Sequence, residues 1–340
     1  MATHARRRPF PLALLAISGS ALLAASGAPA QLTEPFPDIF EMPDLLAAGG
    51  DLGFRINGYL EEHRLGYALA SAGDINNDGF DDVLVGMYDA PAGIANVYVV
   101  FGSADGPPAA NISITELDGT NGFAIPGDLL WSYEHTNLAG VGDINNDGID
   151  DIAIGEPLGN GFFPNAGRTI VIYGDADIGA SGTFDIDTID GTNGFTVRGY
   201  ISGARFGYSV APAGDVNGDG AVDLVIGAPR AFGAFPGAGQ AYVIFGGSNV
   251  APSGDINLFL LNPSQGFAID GKELRAASGT TVCSAGDINA DGFDDVLIGA
   301  VGAGEQDGVY DMGAAYVVFG GPAVGASGAI SLADLDGTNG

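Results

Sequence analysis

The sequence predicts an all-β fold, a β-propeller of four-stranded blades, and three observations lead there. An acidic nonapeptide occurs four times, beginning at Asp74, Asp143, Asp215 and Asp287, so that successive copies stand 69, 72 and 72 residues apart. A Gly-Phe pair keeps the same beat, with its aromatic residue at Phe54, Phe123, Phe195 and Phe267. Repetition at a fixed period signals stacked units. The third observation is the strand pattern between these landmarks. In the third unit, residues 194–198, 208–213, 223–227 and 241–246 read as short strands separated by Gly, Pro, Asn and Asp. Two of them, Asp-Leu-Val-Ile-Gly and Ala-Tyr-Val-Ile-Phe-Gly, are apolar throughout instead of alternating, as expected of strands covered on both faces. Four-stranded sheets stacked about an axis form a propeller.

At the N-terminus, Arg6-Arg7-Arg8 precedes an apolar stretch over 11–25, and Ala28-Pro29-Ala30 fits a signal-peptidase site. Residues 1–30 therefore predict a cleaved secretory signal, with Arg7-Arg8 also compatible with twin-arginine export. The stretch is too short to span a bilayer, and no membrane span is expected in the mature chain. Export places the protein in the periplasm or outside the cell, with retention at the cell surface left open. The repeats occupy 31–340, as units at about 38–108, 109–180, 181–252 and 253–327 and a partial fifth over 328–340.

Each nonapeptide has side-chain oxygens at positions 1, 3, 5 and 9, a glycine at position 6 for the sharp turn, and a backbone carbonyl to offer at position 7. These are the hard donors of a calcium loop. The first set is Asp74, Asn76, Asp78, the Phe80 carbonyl and Asp82, and the second Asp143, Asn145, Asp147, the Ile149 carbonyl and Asp151. The third is Asp215, Asn217, Asp219, the Ala221 carbonyl and Asp223, and the fourth Asp287, Asn289, Asp291, the Phe293 carbonyl and Asp295. About four Ca²⁺ are expected. An EF-hand is excluded, because its twelfth position, where a Glu is needed, is Val85, Ile154, Ile226 or Ile298 inside apolar runs. A metal-free turn rich in Asn, Asp and Gly is the other reading. It is disfavoured because three converging carboxylates repel without a cation.

Together, Phe206-Gly207, the Asp215 loop and Gly227-Ala228-Pro229 resemble the FG-GAP repeat of the integrin alpha-subunit propeller and its secreted bacterial relatives. The resemblance runs over about 38–340, with drift in the other units. Phe-Gly becomes Leu65-Gly66, Glu134-His135 and Ser278-Gly279, and Gly-Ala-Pro becomes Gly86-Met87-Tyr88, Gly155-Glu156-Pro157 and Gly299-Ala300-Val301. The resemblance implies a seven-bladed ring with calcium between the first and second strands of a blade. Leu335 to Gly340 repeats Leu117 to Gly122, so a fifth unit is starting where the sequence stops. A truncated seven-bladed propeller is the favoured expectation. The alternative is a small closed ring in which residues 52–57 supply the outer strand of the fourth blade.

Composition points away from several functions. The net charge of −31 makes nucleic acid an unsuitable partner. Only three histidines occur, and neither His63 nor His135 of the mature chain belongs to a metal pair or a nucleophile triad, so no catalysis is expected. The lone cysteine, Cys283, aligns with Ala70, Ala139 and Ala211 and reads as a buried small residue. Antiparallel connectivity puts the calcium loops on one face and gathers Arg64, Arg205, Arg230, Lys272 and Arg275 on the other, with Arg168 and Arg198 nearby. Tyr88, Trp131, Tyr133, Phe162, Phe163, Tyr200, Phe232, Phe235 and Tyr310 join them there. The expectation is a secreted, calcium-stabilised, non-catalytic module for binding or adhesion, taking a protein or carbohydrate ligand on that second face. The alternative is the propeller portion of a secreted hydrolase or lyase.

Overall fold

A computed structural model describes residues 53–59, 61–89, 94–104, 111–127, 137–304 and 312–340, which hold β-strands, short 3-10 turns and loops. The expected signal segment, residues 1–30, and Trp131, Tyr133 and Tyr310 lie outside the described residues.

The strands form blades in chain order. Blade 1 is the antiparallel sheet His63–Gly73, Asp82–Asp89, Ile94–Val100 and Gly122–Ile125. Blade 2 repeats it with Asn137–Gly142, Asp151–Glu156, Arg168–Ile172 and Gly194–Arg198. Blade 3 has Ser209–Gly214, Asp223–Ala228, Gln240–Ile244 and Gly266–Asp270. Blade 4 has Ser278–Gly286, Asp295–Ala300 and Ala314–Val318. The Gly-Phe landmark is thus the outer strand of the preceding blade. In blade 4 that strand is only begun: the Phe319 amide donates to the Asn339 carbonyl at 3.1 Å, as Phe101 does to Asn121 and Tyr173 to Asn193.

Outer strands are tied forward by short parallel pairs. Gly194–Arg198 takes Asp255–Asn257, and Gly266–Asp270 takes Ala329–Ser331. Arg55–Asn57 likewise pairs with Asn111–Ser113. It does not join the fourth sheet, so residues 55–57 do not take the place that the small-ring alternative gives them.

Burial follows the sequence pattern. Every residue of Asp151–Glu156, Asp223–Ala228 and Gln240–Ile244 is buried, as their unbroken apolar runs require. The core lies between successive blades. Leu84 and Val99 of blade 1 cluster with Leu138 and Ile152 of blade 2, and Val225 and Val243 of blade 3 with Val282 and Val296 of blade 4. Each such side chain contributes about 1.5–3 kcal/mol by leaving water. Phe123, Phe195 and Phe267 are fully buried against Phe101, Tyr173 and Phe245, with ring centroids 5.8, 6.0 and 5.8 Å apart. The backbone of the following segment packs so closely that a Cβ on Gly179 or Gly325 would overlap the ring of Phe123 or Phe267.

Two expectations are corrected. Tyr88 stands on the second strand of blade 1 and is buried, so it is part of the sheet's packing and not of a loop surface. Cys283 is exposed although its counterpart Ala139 is buried. Ala139 and Ala211 face the next blade, and among the described residues no further sheet covers the corresponding face of blade 4.

Candidate metal centres

All four acidic nonapeptides join the first strand of a blade to the second, and they share one local plan. Before the loop, the first strand slips register at Gly73, Gly142, Gly214 or Gly286, each with positive φ, which ends the ladder in a bulge. Position 4 is also left-handed, at Asn77, Asn146, Gly218 and Ala290. Asn and Gly suit that conformation and alanine does not. The preference for Asn or Gly at position 4 was a readable signal that the donor pattern alone did not use.

Backbone amides gather the side-chain oxygens inside the turn. In the first loop the Asp78 amide donates to both Asp74 Oδ1 and Asn76 Oδ1, at 2.9 and 3.0 Å, the Gly79 amide to Asp74 Oδ2 at 2.9 Å and the Phe80 amide to Asp78 Oδ1 at 3.0 Å. The same bonds recur around Asp143, Asn145 and Asp147, around Asp215, Asn217 and Asp219, and around Asp287, Asn289 and Asp291. In each loop the Asn amide nitrogen donates to the position 5 carboxylate, at 2.8–3.0 Å.

Position 9 has a different setting. Asp82, Asp151, Asp223 and Asp295 are fully buried, and each clasps at least two backbone amides. Asp82 accepts from Ile75 and from Gly102, which follows the third strand, and Asp151, Asp223 and Asp295 do the same with Ile144 and Gly174, Val216 and Gly246, and Ile288 and Gly320. Burial pushes the carboxyls of Asp82, Asp151 and Asp223 up to about 7, against the amide bonds that pull them down. Nearby carboxylates at positions 1 and 5 add to the rise for Asp82 and Asp223. Both oxygens accepting N–H groups is an arrangement for the ionised form, which a cation in the loop would favour. Among the described residues no three acidic side chains stand together as a preformed metal-holding group. The donor set is nevertheless all oxygen, carboxylate and amide carbonyl with a backbone carbonyl at position 7, and that chemistry fits a hard cation of the calcium type.

Position 8, which is not in the expected donor set, performs a task the sequence did not reveal. The Asp74 amide donates to Asp150 Oδ2 at 2.9 Å and the Asp215 amide to Asp294 Oδ2 at 2.8 Å, linking each loop to the next blade. Between blades 2 and 3 the equivalent residue is Val222, which cannot accept.

On the opposite side, the second-to-third connections meet the crossovers: the Phe162 amide bonds the Gly199 carbonyl and the Ala234 amide the Gly271 carbonyl. Phe162, Phe163, Phe232 and Phe235 are exposed there, as are Arg230 and Arg275. Other cations are engaged internally. Arg168 pairs with buried Glu156, Arg198 with Asp255, and Lys272 lies 5.0 Å from the Tyr316 ring centre.

Comparison with known proteins agrees with this geometry. Residues 137–172 and 206–244 match the FG-GAP repeat, the segments that carry the first three strands of blades 2 and 3. The chain is 27% identical over 256 residues to integrin alpha-PS2 of Drosophila melanogaster, covering 71% of this chain and 15% of that protein. It is 28% identical over 254 residues to integrin alpha-V of Gallus gallus, covering 71% and 20%. It is also 30% identical over 206 residues to the phosphatidylinositol-glycan-specific phospholipase D of Bos taurus, covering 58% and 22%. The chain thus spans about a fifth or less of these relatives. It carries FG-GAP repeats in an all-β fold of propeller blades and is similar to integrin alpha subunits. Among the described residues no helix is long and apolar enough to cross a membrane.

Proposed function

We propose that this chain is a secreted, calcium-stabilised, non-catalytic propeller module for binding or adhesion. The observation that carries the reading is the fourfold recurrence of one oxygen set held by one set of amide bonds. Asp, Asn and Asp at positions 1, 3 and 5, the carbonyl at position 7 and Asp at position 9 would hold Ca²⁺ in each loop, about four ions in all. When bound, the ion supplies positive charge that relieves the repulsion among three carboxylates. The chain's own residues hold those oxygens in place and tie the loop through position 9 to the third strand. Equilibrium calcium binding is the test: four ions per chain are expected, and Asp219→Ala should lose the third site alone. Retention of four ions in that variant would contradict the ligand assignment.

The ligand face is assigned to the loops opposite the calcium sites, where exposed Phe163, Phe235, Arg230 and Arg275 suit a protein or carbohydrate partner. A second reading, the propeller portion of a secreted hydrolase or lyase, draws on the similarity to a protein named as a phospholipase. Sequencing the full reading frame separates the two, since a catalytic domain continuous with these repeats would favour the second.

A further inference from the structure

The aromatic residue that follows the third strand is Phe101, Phe245 and Phe319 in blades 1, 3 and 4, but Tyr173 in blade 2. Packing accounts for its ring and not for its hydroxyl. Tyr173 sits against Phe195 with ring centroids 6.0 Å apart, as Phe101 sits against Phe123 and Phe245 against Phe267. It is 8% exposed, and its hydroxyl has no hydrogen-bond partner among the described residues. A buried phenol ordinarily finds one, as Tyr242 does by donating to Gln240 Oε1 at 2.8 Å. Because three blades fill the same position with a ring that lacks the polar group, the sheet does not require the Tyr173 hydroxyl.

Tyr173 lines a groove of about 360 Å³ between blades 2 and 3, on the side of the acidic loops. One wall is formed by Tyr173 with Asn145 and Asp147 of the second loop, and the other by Ser248, Asn249 and Pro252, in the segment that follows the third strand of blade 3. The Tyr173 hydroxyl stands in the field of the Asp151 and Asp147 carboxylates, on the loop side of the groove. Across from it, the side chains of Ser248 and Asn249 make no hydrogen bond among the described residues. The described lining holds one carboxylate and no cation. Both walls are internal to the stack, since blade 2 packs between blades 1 and 3, and blade 3 between blades 2 and 4. The volume falls in the range of about 300–1,000 Å³ that small-molecule sites occupy.

We propose that this groove binds an uncharged saccharide unit, with Tyr173 as the residue that sets blade 2 apart from the other blades. Hydroxyls and side-chain amides both donate and accept, and so do the hydroxyls of a sugar, whereas Asp147 can only accept. Tyr173, Ser248 and Asn249 therefore offer a sugar hydroxyl partners from both walls, and Val250 and Pro252 supply apolar surface for the C–H face of its ring. An anionic ligand is disfavoured by Asp147 and by a chain of net charge −31. The site lies on the side opposite the loops assigned above to a protein or carbohydrate partner, and it does not depend on that assignment.

The test is an NMR titration of the chain with D-glucose, D-galactose, D-mannose and N-acetyl-D-glucosamine at millimolar concentration, in excess calcium so that the second loop is in the same state throughout. At least one sugar should give saturable amide shifts centred on Asn145, Asp147, Tyr173 and Asn249. Tyr173→Phe installs the residue of the other three blades and should keep the parent's thermal melt while weakening binding about three- to tenfold, the loss of one hydrogen bond. Asn249→Ala, at an exposed position on the other wall, should do the same. Absence of binding by all four sugars would overturn the proposal. So would undiminished affinity in Tyr173→Phe. Shifts centred on Phe163 and Phe235 instead would place the sugar on the opposite face, overturning this site while supporting the ligand face assigned above.

Discussion

Glu156 shows how one residue departs from the repeat and what restores the balance. It stands where blades 3 and 4 have Ala228 and Ala300, and it is buried. Across the ladder Arg168 donates Nε–H to its carboxylate, at the position held by Gln240 in blade 3. The sequence showed Gly155-Glu156-Pro157 only as drift from Gly-Ala-Pro, because the compensating arginine lies on another strand. Removing one member of a buried pair strands the other charge, so Arg168→Met should cost about 3–5 kcal/mol in denaturant unfolding. The double change Glu156→Ala with Arg168→Gln, which installs the blade 3 pair, should recover most of that loss. A second prediction concerns Asp118, Asp190 and Asp336, each followed two residues later by a threonine whose hydroxyl donates to Oδ1 at 2.6 Å. The Thr hydroxyl, and after it the Thr amide, holds these exposed carboxyls below their ordinary range. Because the folded value is the lower one, the contribution to stability is present above the unfolded value of about 3.9 and is lost as pH falls through the folded value. In an NMR pH titration, Thr192→Val should move Asp190 upward and leave Asp118 and Asp336 unmoved.

Loops and strands were legible to different degrees. The loops were readable because their donors recur within nine residues, and the inner strands because their apolar runs do not alternate. The left-handed position 4 could have been inferred from Asn77, Asn146 and Gly218, but Ala290 obscured it. The task of position 8 was hidden, since the partner of Asp150 is the amide of Asp74 in another blade. Tyr88 was misplaced for a related reason: exposure depends on what packs against a strand, which a motif boundary does not record. The interblade bond yields a prediction at this scale. Asp150→Ala leaves the Asp74 amide without its charged acceptor, which should cost about 1–2 kcal/mol in a partly buried setting. Hydrogen exchange at the Asp74 amide should quicken in that variant while exchange at Asp215, bonded to Asp294, stays as in the parent. Equal protection of the Asp74 amide in parent and variant would show that Asp150 is not the acceptor in solution.

For the whole molecule, the period of the repeats conveyed the stacking of blades, because each unit buries its apolar face only against a neighbour. It did not convey burial position by position, since Leu69 and Val282 are the same kind of residue in the same register, yet among the described residues Leu69 is exposed and Val282 is buried. The same repetition concentrates charge: the four loops hold fifteen of the 42 acidic residues, twelve of them at positions 1, 5 and 9, in a chain of net charge −31. Cations bound only by the folded state stabilise it by mass action, about 2.7 kcal/mol per site when the free ion exceeds Kd 100-fold. Four such sites, as proposed, would therefore together outweigh any single contact described above. Chelating calcium should lower Tm by about 10 °C or more, given about 2–4 °C per kcal/mol for domains of this order of size. Magnesium should restore little of it, because it demands tighter octahedral geometry and gives up its water reluctantly. Melting curves that coincide in excess calcium and in excess chelator would remove the structural role of the metal. Full recovery by magnesium would instead assign these loops to divalent cations in general and not to calcium.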